Sequence, residues 1–160
     1  MKIPGAAVFV LLLAIKFGWA AVGETEEQLK ARYEKSYGDI PTEAFGPMRA
    51  FMFGKYIVGV ALANGISDME MFSKSDESDM SASEIDALLK ANGEGQWKAE
   101  STGKPNWRRW RRDDESLVAL YDTKRHFLYI NSRKFYEQQG KKMEEPALAT
   151  PNPAEKLFRP

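Results

Sequence analysis

Cysteine is absent from this chain of 160 residues, and histidine occurs once, at position 126. Without thiols there are no disulfides, no thiolate nucleophile and no cysteine ligands for zinc or iron–sulfur clusters. An excess of charge of one sign is also lacking, since 23 basic residues balance 23 acidic ones. This balance gives no electrostatic basis for binding nucleic acid or an anionic membrane. Stability must therefore come from packing, and cysteine-based chemistry is excluded.

The longest apolar run is short, and it lies near the N-terminus. A basic start precedes ten apolar residues, 6–15, and small residues follow up to Gly23. That order is typical of a secretory signal peptide. A retained membrane anchor would need about 20 apolar residues, and Lys16 interrupts the run. We therefore predict a signal peptide over 1–23 and a periplasmic or secreted protein, with an N-terminal membrane anchor as the alternative.

The rest of the chain divides into a domain and a tail. Loss of the leader, with its Lys2 and Lys16, would leave a net charge of −2. Residues 24–140 are numerous enough for one domain with its own core. Residues 141–160 hold four prolines and few apolar side chains, which predicts a disordered tail.

Two segments carry the sequence signal of a helix start. Thr25 is followed by Gln28, and Ser81 by Glu84, and each pair has the spacing of a capping box. In the second segment, Ile85 and Leu89 belong to an apolar stripe at helical spacing. The predicted helices span 24–35 and 84–91.

Strand patterns fill most of the remaining domain. Asn64-Gly65 stands between two apolar stretches and is a strong hairpin signal. Two arms around 122–125 are apolar on both faces, which predicts strands covered on both sides. We expect an α+β fold in which two helices pack on an antiparallel β-sheet. The predicted strands are 48–53, 56–63, 66–74, 96–100, 107–112, 116–121 and 126–131, with a short helix over 133–139.

The two halves of the domain are similar in plan. Their capping boxes lie 56 residues apart, and strands follow each helix, which leaves a tandem α-βββ duplication open. This plan resembles the β-lactamase-inhibitory-protein type of module and, more loosely, the small domain of outer-membrane assembly lipoproteins. The segment 81–97, with its helix, Asn-Gly turn and tryptophan, is similar to one in small exported bacterial proteins of unknown function. These resemblances imply export and helices on a sheet, and no chemistry.

The most unusual hexamer holds two tryptophans among four arginines. As a strand it would place one tryptophan and two arginines on each face. Tryptophan and arginine are enriched in interface hot spots, and arginine stacks on aromatic rings. The alternative is that one tryptophan belongs to the core, while the arginines pair with nearby acids or protect an edge strand. The predicted binding residues are Trp107, Arg109, Trp110, Arg111 and Arg112.

Groups suited to catalysis or metal binding are few. His126 has no partner at a recognisable spacing, and we expect a structural or surface role. The acidic residues of 76–79 do not match an EF-hand, and the methionines of 48–80 are expected in the core. No phosphate-binding loop, nucleophile elbow or HExxH motif occurs. Glu70, Asp113 and Asp114 are the carboxylates that keep a hydrolase open.

We therefore expect a non-enzymatic binding domain of the cell envelope, acting without cofactor or metal. Its expected partner is an envelope or extracellular protein rather than nucleic acid, and a homodimer stays open. Once the leader is cleaved, we expect no stable membrane span. The alternatives are a carboxylate-dependent hydrolase and a purely structural envelope protein.

Overall fold

The computed structural model describes residues 22–42 and 45–144, with side chains up to 139. Within these residues, eight strands form one antiparallel sheet, and helices pack on it. The predicted α+β fold is therefore confirmed. Along the chain the elements are α1 (Glu26–Arg32), β1 (Lys35–Thr42), β2 (Gly46–Phe53), β3 (Tyr56–Ala63), β4 (Ile66–Lys74), α2 (Ala82–Ala91), β5 (Trp97–Glu100), β6 (Trp107–Arg112), β7 (Leu117–Asp122), β8 (Phe127–Ser132) and α3 (Arg133–Glu144).

The same plan occurs twice along the chain, because each of α1 and α2 is followed by a four-stranded meander. The strand order is β1-β2-β3-β4-β8-β7-β6-β5. The two meanders join where β4 pairs with β8, with Met71 opposite Tyr129, so β1 and β5 form the two edges. Each half thus has four strands, which corrects the three-strand repeat expected from sequence. A duplication in origin stays a prediction.

The first strand is the element that the sequence analysis missed. The first helix was expected to run on to Lys35, with Gly38 and Pro41 as the signals of its end. Instead α1 ends at Arg32, and β1 pairs with β2 along its whole length. A bulge accommodates Gly38 at φ +83°, and Pro41 is tolerated because an edge strand needs partners on one side only.

Local signals elsewhere predicted the structure well. Asn64 and Gly65 turn the β3–β4 hairpin with φ values of 53° and 78°, as a type I′ turn requires. Both predicted capping boxes are present at Thr25 and Ser81. The caps fix where each helix begins, and the turn fixes the pairing of β3 with β4.

Both ends of the chain extend beyond the described residues. α3 continues to Glu144 rather than ending at 139, so the first residues assigned to the tail are helical. None of the helices in 22–42 and 45–144 is long and apolar enough to cross a membrane. The predicted signal peptide, up to position 21, and the tail from 145 onward lie outside the described residues.

Apolar side chains cover both faces of the sheet. The helix face, on which α1 and α2 pack, buries one cluster around Phe51, Phe72 and Tyr121. The opposite α3 face buries a second cluster that includes Leu120 and Tyr129, and α3 adds Phe135 and Tyr136 at its border. Met52 is half-buried, and the core role expected for the methionines is confirmed for the four that are buried. They are Met48, Met69, Met71 and Met80.

Candidate functional site

Strand β6 is the tryptophan–arginine hexamer, and it lies one strand inside the β5 edge. As the strand period predicts, its two tryptophans point to opposite faces. Trp110 packs against the helix-face cluster, and Trp107 packs against the α3-face cluster. Both are half-buried. The structure therefore does not bring the predicted binding residues onto one surface.

On the α3 face, two of the predicted arginines share one carboxylate. Arg109 and Arg111 each place Nε about 3 Å from a Glu100 oxygen, at 3.0 and 2.9 Å. Arg109 also donates to the Tyr136 hydroxyl and to the Ser101 carbonyl. The guanidinium of Arg111, more than any other group, lowers the pKa of Glu100. Both arginines are therefore held in place by neighbouring groups of the fold.

On the helix face, Arg112 has a structural position. It donates to both Asp114 oxygens, at 2.9 and 2.7 Å, and to the Asn92 carbonyl at 3.0 Å. Its hydrogen bonds hold the pKa of Asp114 well below the usual range. Because Asn92 is the C-cap of α2, Arg112 ties the β6–β7 turn to the end of that helix. This role fits the alternative that arginines of the hexamer pair with nearby acids.

Arg108 differs from its neighbours in being exposed and unpaired. Among the described residues it has no hydrogen-bond or ion-pair partner. It lines a groove of about 190 Å³ between α2 and the β5–β6 hairpin. We call this the α2–β5 groove, and its lining residues are Ala82, Ile85, Asp86, Leu89, Trp97, Arg108 and Trp110.

The groove is built by the local sequence that follows α2. After the Asn92 C-cap the chain turns back, and the Trp97 indole N–H donates to the Leu89 carbonyl at 2.8 Å. This bond ties the tryptophan to the last turn of the helix. Register then places Ala99 opposite Trp110, so both tryptophans lie on the helix face. The result is an aromatic wall with a free cation beside it.

A second, larger depression adjoins the groove at the β5–β6 turn. It has a volume of about 550 Å³ and shares Arg108 and Trp110 with the groove. Its far wall is the turn itself, where the Thr102 hydroxyl donates to the Lys104 and Trp107 carbonyls. Groove and depression thus form one continuous surface at the β5 end of the sheet.

The carboxylates that kept a hydrolase open are not brought together. Glu70 is fully buried in β4 on the helix face, where the Tyr33 hydroxyl donates to it at 2.9 Å. Burial raises the pKa of Glu70 to about 7. Asp113 and Asp114 lie exposed in the β6–β7 turn. A pair of carboxylates in one cleft, which general acid–base catalysis would need, is not formed by these three.

The other titratable candidates, His126 and Asp79, form hydrogen bonds that hold parts of the fold together. The His126 Nδ1 lies 2.9 Å from the Glu77 carbonyl oxygen, and the residue turns the β7–β8 hairpin at φ +60°. Asp79 accepts a hydrogen bond from the Tyr121 hydroxyl. In the described part of the chain, no group of three or more His, Asp or Glu side chains is arranged to hold a metal ion.

The predicted binding residues did not include Trp97, and they did not include Arg108 although it lies within the predicted hexamer 107–112. Strand alternation alone placed Arg108 with Trp110, but not the pairing of Arg109 and Arg111 with Glu100 that leaves Arg108 free. Trp97 could have been found from the β5–β6 hairpin, because antiparallel register brings it onto the face of Trp110.

Comparison with known proteins gave no match to a family model, to a curated protein or to a solved structure. The resemblances in plan described above therefore stay predictions. Function must be argued from the geometry of the β5 end of the sheet.

Proposed function

We propose that this protein is a non-enzymatic binding domain of the cell envelope, and that it holds a partner protein through the α2–β5 groove. The observation that carries the proposal is the exposed, unpaired Arg108 guanidinium beside the half-buried Trp97 and Trp110. Elsewhere on β6 the arginines are paired. A cation left free next to two indoles is the composition of an interface hot spot.

The size of the groove favours a protein partner over a small molecule. Small-molecule pockets enclose roughly 300–1,000 Å³, whereas this groove measures about 190 Å³. That space suits one or two side chains of a larger partner. The adjoining depression of about 550 Å³ is open, and it would extend the contact without enclosing a ligand.

Export supports a partner in the periplasm or outside the cell. The proposal rests here on the sequence pattern of 1–23 alone. Fractionation of cells that produce the full chain tests it. We expect a shortened protein in the envelope or medium, and an unshortened cytoplasmic protein would contradict it.

Site-specific cross-linking tests the binding surface. A photoreactive residue in place of Asp86, which lines the groove, is compared with one in place of Glu27 on exposed α1. In cells producing the full chain, we expect a discrete cross-linked protein from position 86 and none from 27. Equal yields at both positions, or none at 86, would contradict the proposal.

A second variant separates binding from folding. Arg108→Ala removes an exposed side chain with no partner among the described residues, so stability should be unchanged. We expect it to weaken cross-linking from position 86 at least fivefold. Lys134→Ala, an exposed change on α3, is the matched control and should leave the yield intact.

A further inference from the structure

We propose that strand β5 accepts one more β-strand from the partner, and that this strand is an extended acidic segment. The inference rests on the proposed function and specifies the chemistry of its partner. In this mode main-chain hydrogen bonds give affinity, and pockets for alternate side chains give specificity. The α2–β5 groove would be one such pocket.

The two edges of the sheet differ in the regularity of their backbone. β1 carries a bulge, Gly38 at φ +83° and Pro41, which are devices that prevent a new strand from pairing. β5 pairs with β6 without a register shift over Trp97–Glu100 and contains no proline. Of the two edges, β5 is therefore the one with a regular backbone.

Some backbone groups of β5 take no part in its pairing with β6. The Asp113 N–H donates to the Gln96 carbonyl at 2.9 Å, so Gln96 faces β6. Because hydrogen-bonding direction alternates along an antiparallel strand, Lys98 and Glu100 also bond to β6. The N–H and C=O groups of Trp97 and Ala99 then point away from the sheet. They form a ready template for a further strand.

Two exposed cations lie at the β5 edge. Lys98 is exposed on the edge strand itself, and Arg108 is exposed and unpaired among the described residues. Arg109 and Arg111 share the single carboxylate of Glu100. The acidic residue in the groove, Asp86, is paired with Lys90 at 2.7 Å. Lys98 and Arg108 are thus exposed cations on opposite faces of this edge, and an acidic strand would neutralise them.

A second copy of this chain fits the same edge less well. Antiparallel pairing of β5 with itself about Ala99 would set Lys98 opposite Glu100 of the other copy, which is a favourable pair on the α3 face. It would supply no carboxylate to the Arg108 of either copy, because the one acidic residue of β5, Glu100, lies on the opposite face of the sheet. Charge complementarity thus favours an acidic partner over a homodimer.

The side-chain alternation of an added strand suggests the probe. One face of the strand would lie over the α2–β5 groove, and the other beside Lys98 on the α3 face. An acetylated, amidated and fluorescently labelled peptide of alternating Glu and Val supplies an apolar face and an acidic face. A peptide of alternating Lys and Val has the same β propensity and the opposite charge.

Fluorescence anisotropy with the full chain tests the proposal. We expect the Glu/Val peptide to bind at least tenfold more tightly than the Lys/Val peptide. Ala99→Pro removes the outward N–H without touching the bonds to β6, and should weaken binding at least tenfold. Ala99→Ser keeps the N–H and should bind as the parent does. Equal affinity for both peptides, or full affinity in the Ala99→Pro protein, would overturn the proposal.

Amide exchange and the oligomeric state of the protein give two further tests. If Ala99→Pro does not fold, amide exchange of the parent chain decides, since the Glu/Val peptide should protect the Trp97 and Ala99 amides. Absence of that protection would overturn the proposal. A concentration-dependent dimer that Arg108→Glu strengthens would overturn it in favour of a second copy.

The same variants separate this inference from the proposed function. If cross-linking from position 86 persists unchanged in the Ala99→Pro protein, groove binding stands and strand addition is wrong. If position 86 captures nothing in any of these folded proteins, the proposed function itself is wrong.

Discussion

The two halves of the sheet have the same plan but different side chains beneath their helices. Under α1, the N-terminal half buries a carboxyl, Glu70, against the Tyr33 hydroxyl. On the same face of β8, the C-terminal half has the apolar Leu128 and Ile130. Its helix α2 instead contacts Trp97, and the α2–β5 groove beside this contact is partly open. One half is closed around a polar contact, and the other presents an aromatic surface.

The edges repeat this contrast. β1 is bulged and contains a proline, whereas β5 is regular and flanked by cations. The comparison teaches that both halves share one architecture, while a few side chains give the C-terminal half the open groove through which we propose that a partner binds. Three sets of substitutions test how far the halves differ and how tightly they are coupled.

The largest expected effect comes from the helix anchors. Leu29 of α1 and Leu88 of α2 are no more than 2% exposed. Truncation of either side chain to alanine should therefore lower the free energy of unfolding by about 3 kcal/mol. Because β4 pairs with β8 in one sheet, we expect both variants to lower the urea midpoint of the whole domain.

Tryptophan fluorescence checks that coupling directly. The tryptophans of the described residues, at 97, 107 and 110, all lie in the C-terminal half. The Leu29→Ala variant should nevertheless shift the fluorescence transition as far as the circular dichroism transition. A fluorescence midpoint unmoved by Leu29→Ala would mean that the halves unfold independently.

The next effect concerns the buried carboxyl of the N-terminal half. Burial raises the pKa of Glu70 from 4.5 to about 7, so the folded state binds its proton more tightly than the unfolded state. The stability that this neutral carboxyl contributes is full below pH 4.5 and is lost as pH rises through 7. Glu70→Gln should remove this pH-dependent loss of stability, because glutamine does not titrate. The N-terminal half would then, like the C-terminal half, have no titrating carboxyl at this place under its helix.

Urea unfolding at pH 5 and pH 8 measures the change. Relative to Glu70→Gln, the parent should lose on the order of 3 kcal/mol between these values. The exposed change Glu27→Gln serves as the control and should leave the pH dependence as it is. A parent and Glu70→Gln protein with parallel pH profiles would refute a neutral buried carboxyl.

The smallest effect should come from the turn that holds the groove in shape. Gly93 has φ +114°, and a Cβ there would lie 2.7 Å from the Arg112 Nη1 atom. Gly103 has φ +68° with open space around it. We expect Gly93→Ala to cost about 2 kcal/mol and Gly103→Ala about 1 kcal/mol in thermal or urea unfolding. The reverse order would show that Arg112 does not brace the α2 end.

Sequence reasoning succeeded where the cause of structure is local. Capping boxes at Thr25 and Ser81, the Asn64-Gly65 turn and the doubly apolar β7–β8 hairpin each depend on a few neighbouring residues. It failed at β1, because the edge position that makes Gly38 and Pro41 acceptable is a property of the whole sheet.

The candidate site was predicted in part for the same reason. Alternation within β6 gave the correct face for each tryptophan and arginine. Which arginine stays free depends on Glu100, which lies across the β5–β6 hairpin, and on Asp114 beyond the strand end. The burial of Glu70 depends on Tyr33, 37 residues away along the chain. Such long-range partners leave no local signal.

The central claim is that the C-terminal half binds a partner through the α2–β5 groove and that the N-terminal half does not. Photo-cross-linking from position 86, measured against position 27 in the same cells, tests it most directly. We predict a discrete partner from 86, weakened by Arg108→Ala, and no product from 27. Products of equal yield from both helices would contradict the claim.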